Sequence, residues 1–447
     1  MSESLNPGNL APRKRSGTIT FANQQSLPRL PIPSLEETCK FYLEIVEPLV
    51  SKEDFESAKL SVTDFLHKDG PILQDRLKDY DKFTSAGSYI EKYHNNEGYL
   101  KVDSNVVINS NPFFLFEDDP TPTRNDQLVR ATSLVHSSLK FISTLKQDRM
   151  DPDTIKGTPL CMSQYKRMFG TARIAEEKQD SIKVDSKSGH VVVLCRGQSY
   201  VFQALWPDGT LAITEAELKD NLSAIIKDSN AVKDEDIHKT AVGVFSTEVR
   251  HKWAKIRSLL VENETNRDVL DVIDSALFIV CLDDESPDSV DDRVANMLHG
   301  TYRIQNDFQV GSCCNRWYDK LQMIICKNGA AGINFEHSAV DGLTVLRFAS
   351  DVYADNIIKF AKSITKNTHG KDYLTDVLTA PYKKPNEATD NLDIRPKKME
   401  MDLSVSLRKS LFFAETKMSD LIRRTETKTL EFKDYGKYFI VKNSTYF

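Results

Sequence analysis

The chain has 447 residues, and 59 Lys and Arg against 65 Asp and Glu give a formal charge of −6, which offers no electrostatic reason to expect nucleic acid or an anionic membrane as the main partner. At roughly 150 residues per domain the length suggests two to three domains, and 40% hydrophobic with 28% charged residues is a globular balance, not a fibrous or disordered one. The longest apolar runs, such as residues 276–282, fall far short of the roughly 20 residues that a membrane-spanning helix needs.

Residues 1–28 carry Arg13-Lys14-Arg15 with no apolar stretch behind it, so they read as a disordered polar tail and not as a secretory signal. Glu3 and the sparse arginines also fit a mitochondrial transit peptide poorly. Leu27-Pro-Arg-Leu-Pro-Ile-Pro33 reads as an extended arm. Ser34 and Glu37 form a capping box, and Leu35, Cys39, Tyr42, Leu43 and Val46 follow at helical spacing until Pro48. Ser51 opens a second helix with Phe55, Ala58, Val62, Phe65 and Leu66 as its apolar stripe. Residues 128–145 are helical by period, and residues 191–202 switch to strand-like runs. Residues 268–276 predict a helix running into 277–282, a fully apolar run expected to be a buried strand.

Residues 321–326 and 331–335 flank Asn328-Gly329 and predict neighbouring antiparallel strands. The stretch from Glu336 to Gly342 therefore lies just past a strand end, and Val345, Leu346, Ala349, Val352, Tyr353, Ile357, Phe360 and Ala361 trace one face of the helix after it. Residues 381–398 read as a linker, 399–407 as a strand, 410–424 as a helix and 429–442 as a strand followed by a loop. The seven cysteines include no Cys-x-x-Cys pair and no nearby His array. They are expected to be free, buried thiols of a reducing compartment, with no bound metal.

Glu336-His337-Ser-Ala-Val-Asp341-Gly342 places an imidazole four residues before a carboxylate. Near neutral pH an imidazole takes a proton from a hydroxyl, and a His that merely caps a helix or fills the core is the alternative. Asp341, near a helix start, is expected to favour the helix dipole or to hold the loop through a salt bridge.

The surrounding blocks resemble the carnitine/choline acyltransferase family along nearly the whole chain. They are residues 27–38 running on to Pro48 and Phe55; Cys161-Met-Ser-Gln-Tyr165 with Phe169, Arg173 and Lys178-Gln-Asp180; Ser246-Thr247 with Arg250; Trp253-Ala-Lys-Ile-Arg257; Cys281-Leu-Asp283; His299-Gly300; Asn315-Arg-Trp-Tyr-Asp-Lys320; and the His337 block in its expected order. The resemblance implies an α/β fold of the coenzyme A-dependent acyltransferase type, a mixed β-sheet flanked by helices. It implies a disordered tail at 1–28, N-terminal helices at 29–87 that pack with the second domain, a first domain at 88–382 with the catalytic His, and a linker and the start of a second domain at 383–447.

The activity implied is acyl transfer between coenzyme A and the hydroxyl of carnitine or, in one branch, choline. His337 would act as general acid/base, with no metal or resident cofactor, and coenzyme A would enter as substrate. Acetyl transfer is the preferred reading, in a cytoplasmic setting with mitochondrial or peroxisomal sites open. Tyr99 resembles a family tyrosine that contacts the carnitine carboxylate, although His94 stands where much of the family has Trp. Lys437 and Lys442 resemble the lysines that grip coenzyme A phosphates, Lys442 one position later than usual.

The sequence stops at Phe447, before the family's Ser-Pro-Asp-Ala segment and the Ser-Thr-Ser motif that supplies an oxyanion donor. By itself this length is therefore expected to turn over poorly. The competing readings are a coenzyme A-binding paralogue without catalysis and an interaction module that associates through the uncovered domain surface.

Overall fold

Seven strands form one mixed sheet: β1 (Phe113–Phe116), β2 (His190–Cys195), β3 (Gln198–Gln203), β4 (Ile279–Asp283), β5 (Gln322–Cys326), β6 (Ala331–Asn334) and β7 (Lys397–Met399), in the spatial order β1-β6-β5-β4-β2-β3-β7. They belong to a computed structural model that describes residues 18–84, 87–305, 308–369, 375–386, 390 and 392–430. The chain divides into two compact units, one of Met1–Ala22, Val102–Pro152 and Gln164–Phe447, the other of Asn23–Lys101 and Asp153–Ser163. The architecture is the expected mixed sheet flanked by helices.

The apolar run expected to be a strand becomes the central one. β4 is buried at every residue and pairs in parallel with β2 on one side and β5 on the other, which is why it needs no polar face. The remaining neighbours pair antiparallel. Alternate residues separate the two faces of the sheet. Ile279, Cys281, Val192, Leu194, Ile324 and Cys326 join one buried cluster with Trp253, Leu260, Leu270, Ile273, Leu407, Leu411 and Met418 from the helices Arg250–Leu260, Glu264–Ser275 and Val405–Arg424. Full burial of each such side chain contributes about 1.5–3 kcal/mol.

On the other face lies the helix Gln127–Lys146, whose Ser138 Oγ is 4.0 Å from the Met323 sulfur of β5. Its small serines let the helix Gly342–His369 come close. Ser137 donates to Asp355 at 2.7 Å, Ser133 donates to Asn356, and Lys140 donates to Asp355 at 2.8 Å. That contact fixes the direction in which the Gly342–His369 helix leaves the sheet.

The smaller unit holds the helices Leu35–Val46, Lys52–His67 and Asp69–Phe83. The capping box forms as expected: the Glu37 N–H donates to Ser34 Oγ at 3.1 Å, and the Ser34 N–H donates to Glu37 Oε2 at 3.1 Å. Pro48 falls in a short 3₁₀ turn, Glu47–Leu49, that ends the first helix. Among the described residues no helix is long and apolar enough to cross a membrane.

Three expectations change. The alternation at 399–407 is not a strand: β7 ends at Met399, Ser404 caps a helix by accepting from the Leu407 N–H at 3.3 Å, and Leu407, Leu411, Ala414 and Met418 follow the helical period. Correspondingly, the stretch expected to be a linker ends inside the sheet, since Lys397 and Lys398 pair with Val201 and Tyr200 of β3. All seven cysteines are free, but Cys161 is exposed and Cys314 only partly buried. The strand expected at 429–442 lies almost wholly outside the described residues.

The turn joining β5 to β6 needs its glycine twice over. Gly329 sits at φ +82°, and a Cβ there would lie 2.2 Å from the Asn125 carbonyl oxygen. Gly329→Ala is expected to cost about 1–3 kcal/mol, read as a lower urea midpoint at unchanged slope. An unchanged midpoint would show that the turn yields freely.

Candidate active site

β6 delivers the chain to the loop at 335–341 with little freedom. Asn334, its last residue, donates through Nδ2 to the carbonyls of Met297 and Leu298 at 3.1 and 3.2 Å and accepts from Gln322 at 3.3 Å. Phe335 is fully buried and stacks on Phe114 at a centroid distance of 6.0 Å. His337 is half-buried, its imidazole 6.1 Å from the Phe335 ring and tilted by 32° to it. It therefore lies on the edge of the core with part of its surface open.

The residue before it is tied into the interior. Glu336, 5% exposed, accepts from Arg173 at 3.1 Å through one carboxylate oxygen, and from the Ser338 N–H and hydroxyl at 3.0 and 2.5 Å through the other. Arg173 also donates to Asp180 at 2.6 Å, and Arg250 donates to the same oxygen at 2.5 Å. Arg250 reaches on to Asp319 at 2.7 Å, and the Trp253 indole N–H closes the row on Asp319 at 2.6 Å. Every charged member is 5% exposed or less. Burial opposes the charge of Arg250, but Asp319 and Asp180 outweigh it and raise its pKa.

Alternation of sign makes the row tolerable. Three carboxylates and two guanidiniums lie in the order acid, base, acid, base, acid, so each cation touches two anions. Such buried pairs give little net stability relative to apolar replacements, yet removing one partner strands the rest.

The far end of the loop is held differently. Gln164, in the 3₁₀ turn Ser163–Arg167, donates through Nε2 to Asp341 Oδ2 at 2.5 Å. Its Oε1 accepts from the Asp341 N–H at 2.7 Å and the Thr344 hydroxyl at 2.9 Å. Asp341 is bound by a neutral amide, and among the described residues it shows no salt bridge of the kind that the sequence suggests. It also immediately precedes the Gly342–His369 helix, where a carboxylate favours the positive dipole end.

Tyr99 belongs to the smaller unit, in a five-residue π turn, Asn96–Leu100, with its ring 5.5 Å from His94 in an edge-on contact. Lys437 and Lys442 lie outside the described residues. Gln164, Arg173, Asp180, Arg250 and Asp319 all fall inside the sequence blocks quoted above, but spacing alone assigned none of them a role beside His337.

Residues 30–446 match the family model described as choline/carnitine O-acyltransferase, and the chain belongs to that family. It is 38% identical to a putative mitochondrial carnitine O-acetyltransferase of Saccharomyces cerevisiae, over 92% of this chain and 65% of that protein. It is 31% identical to mitochondrial carnitine O-palmitoyltransferase 2 of Mus musculus, over 95% of this chain and 63% of the relative, and 27% identical to choline O-acetyltransferase of Homo sapiens, over 96% and 55%. The chain thus spans less than two thirds of the length of these relatives.

Two measurements check the supports of the loop. Asp180→Ala leaves two guanidiniums facing each other and is expected to cost about 3–5 kcal/mol in chemical denaturation. Asp341→Ala and Gln164→Ala, combined in a double-mutant cycle, are expected to show a coupling of about 0.5–1.5 kcal/mol. Strictly additive effects would sink the clamp.

Proposed function

We propose that the chain carries the acid/base half of a reversible acyl transfer between coenzyme A and the hydroxyl of carnitine, with His337 as the proton acceptor. The observation that carries this reading is a partly open imidazole on a loop whose preceding residue is locked into buried ion pairs. In the forward step His337 takes the hydroxyl proton as the oxygen attacks the thioester carbonyl. The carbon–sulfur bond breaks, and the departing thiolate takes the proton back from the imidazolium. The acyl ester and free coenzyme A leave, and His337 returns to its starting state. Nothing in this sequence of steps calls for a metal or a resident cofactor.

Acetyl is the proposed acyl group, supported by the name of the yeast relative, and carnitine is favoured over choline by the names of the yeast and mouse relatives. Tyr99 is the proposed contact for the carnitine carboxylate, and Lys437 with Lys442 the proposed cations for coenzyme A phosphates. The cytoplasm is the proposed location, whereas those same relatives' names favour mitochondria; subcellular fractionation separates the two.

A thiol-release assay with acetyl-coenzyme A and carnitine tests the reading, run on this chain and on this chain fused to the remaining C-terminal part of the yeast relative. His337→Ala is expected to lower kcat about 10²–10⁴-fold with KM nearly unchanged. A variant with near wild-type turnover overturns the assignment. Palmitoyl-coenzyme A and choline, as parallel substrates, are expected to be poorer. Lys437→Ala is expected to weaken coenzyme A binding more than binding of the 3′-dephosphorylated analogue, and equal losses would give Lys437 another role.

A further inference from the structure

The helix Val405–Arg424 buries Leu407, Leu411, Ala414 and Met418 on one stripe, and a carboxylate sits in that stripe: Glu415 is 2% exposed. Glutamate is rarely buried so fully without a partner. Here one of its oxygens, Oε1, has none, and the same is true of the buried Tyr302 hydroxyl and of His238 Nδ1. All three residues line a single pocket of about 140 Å³. None of its lining residues belongs to the 335–341 loop or to the ion-pair row behind it.

The charge around the pocket indicates the sign of its occupant. At the rim Arg196 is already shared by Asp234 and Asp284, at 2.6 Å each, and Arg303 is held by Glu285 at 2.5 Å. Three carboxylates against two arginines leave the rim negative before Glu415 is counted. His238 faces the pocket with burial lowering its pKa, which favours the neutral ring and leaves a nitrogen lone pair free to accept. Three vacant acceptor positions in a negative pocket match the three N–H donors of an ammonium group in number and in polarity.

We propose that this pocket binds a small organic cation, a protonated primary amine of about six non-hydrogen atoms or fewer, since an apolar cavity of similar size holds benzene. Its ammonium donates to Glu415, Tyr302 and His238. The inference does not depend on the acyltransferase reading.

Burial alone pushes the Glu415 carboxyl up to about 8, so at neutral pH the empty pocket holds it largely protonated. An ammonium favours the carboxylate and draws that pKa down, so binding releases a proton. Affinity therefore rises with pH, about tenfold per unit below 8, and levels off above it.

The test uses the 447-residue protein with ethylammonium chloride as probe and tetramethylammonium chloride, which has no N–H, as control at equal ionic strength. Thermal unfolding is expected to show a saturable rise in Tm with ethylammonium alone. Calorimetry in buffers of different ionisation enthalpy is expected to show proton release at neutral pH and the stated rise in affinity. Glu415→Gln, equal in shape and neutral like the protonated acid, is expected to lose roughly a hundredfold in affinity while keeping its unliganded Tm near pH 6. Tyr302→Phe is a second variant that removes one acceptor, and it is expected to weaken binding by a smaller factor.

No saturable protection of the wild type, equal protection by tetramethylammonium, or wild-type affinity in Glu415→Gln overturns the proposal and leaves an ordered water as the occupant. If Glu415→Gln does not fold, undiminished binding by Tyr302→Phe overturns it instead.

Discussion

The position of His337 depends on five charges taken out of water together. In a medium of low dielectric constant an isolated carboxylate or guanidinium is so costly that it either finds a partner or drives its segment back to the surface. Glu336, Arg173, Asp180, Arg250 and Asp319 avoid both outcomes only as a complete row, because each guanidinium spans two carboxylates. Arg173 and Glu336 are 163 residues apart in sequence, so the row cannot assemble locally. It ties the loop after β6 to the strand Thr171–Ile174 and to the helix Arg250–Leu260.

The segment that makes this possible is Asn315 to Lys320, six consecutive residues that are all 2% exposed or less although four are polar or charged. Each faces a different part of the fold. Asn315 binds the Leu282 carbonyl and the Gly197 N–H, both at 3.0 Å, while Arg316 forms a bidentate pair with Asp283 at 2.8 and 2.7 Å. Trp317 joins the core cluster, and the Tyr318 hydroxyl donates to the His299 carbonyl at 2.8 Å. Asp319 ends the row behind His337. Lys320 donates to the carbonyls of Thr171 and Asp274 at 2.7 Å each, in surroundings that push its amine down to about 7, with burial as the chief cause. A strap that satisfies so many buried groups leaves little room for alternative packing.

Much of this was legible in the amino-acid order, and the limits have a physical origin. The central strand, the capping box and the Asn328-Gly329 turn are encoded within a few residues each, so local pattern is enough to find them. The blocks around Arg173, Arg250, Asp319 and Glu336 stood out as blocks, but a charge pattern does not say which acid meets which base once the strands are ordered β6-β5-β4-β2. Asp341 shows the same limit: a carboxylate near a helix start suggests a cation, and only the fold brings the neutral Gln164 amide beside it. The misreading at 399–407 arose because alternating apolar residues at 399, 401, 403, 405 and 407 fit a strand, while the capping serine at 404 belongs to a helix.

The same electrostatics explains why such costly groups stand next to the imidazole and not elsewhere. Exposed ion pairs contribute about 0–1 kcal/mol, exchange partners and weaken with salt, so they would leave the loop free to drift. Buried ones add little net stability, but they hold one geometry because every alternative leaves a charge unpaired. The acid/base role proposed for His337 calls for that kind of certainty more than for stability, since such a contribution falls steeply with misplacement by about 1 Å. Glu336 and Ser338 are bonded to each other across His337, and Gln164 pins Asp341 beyond it, so the backbone on both sides is fixed through groups other than the imidazole. The loop thus keeps its geometry through Glu336, Ser338, Gln164 and Asp341.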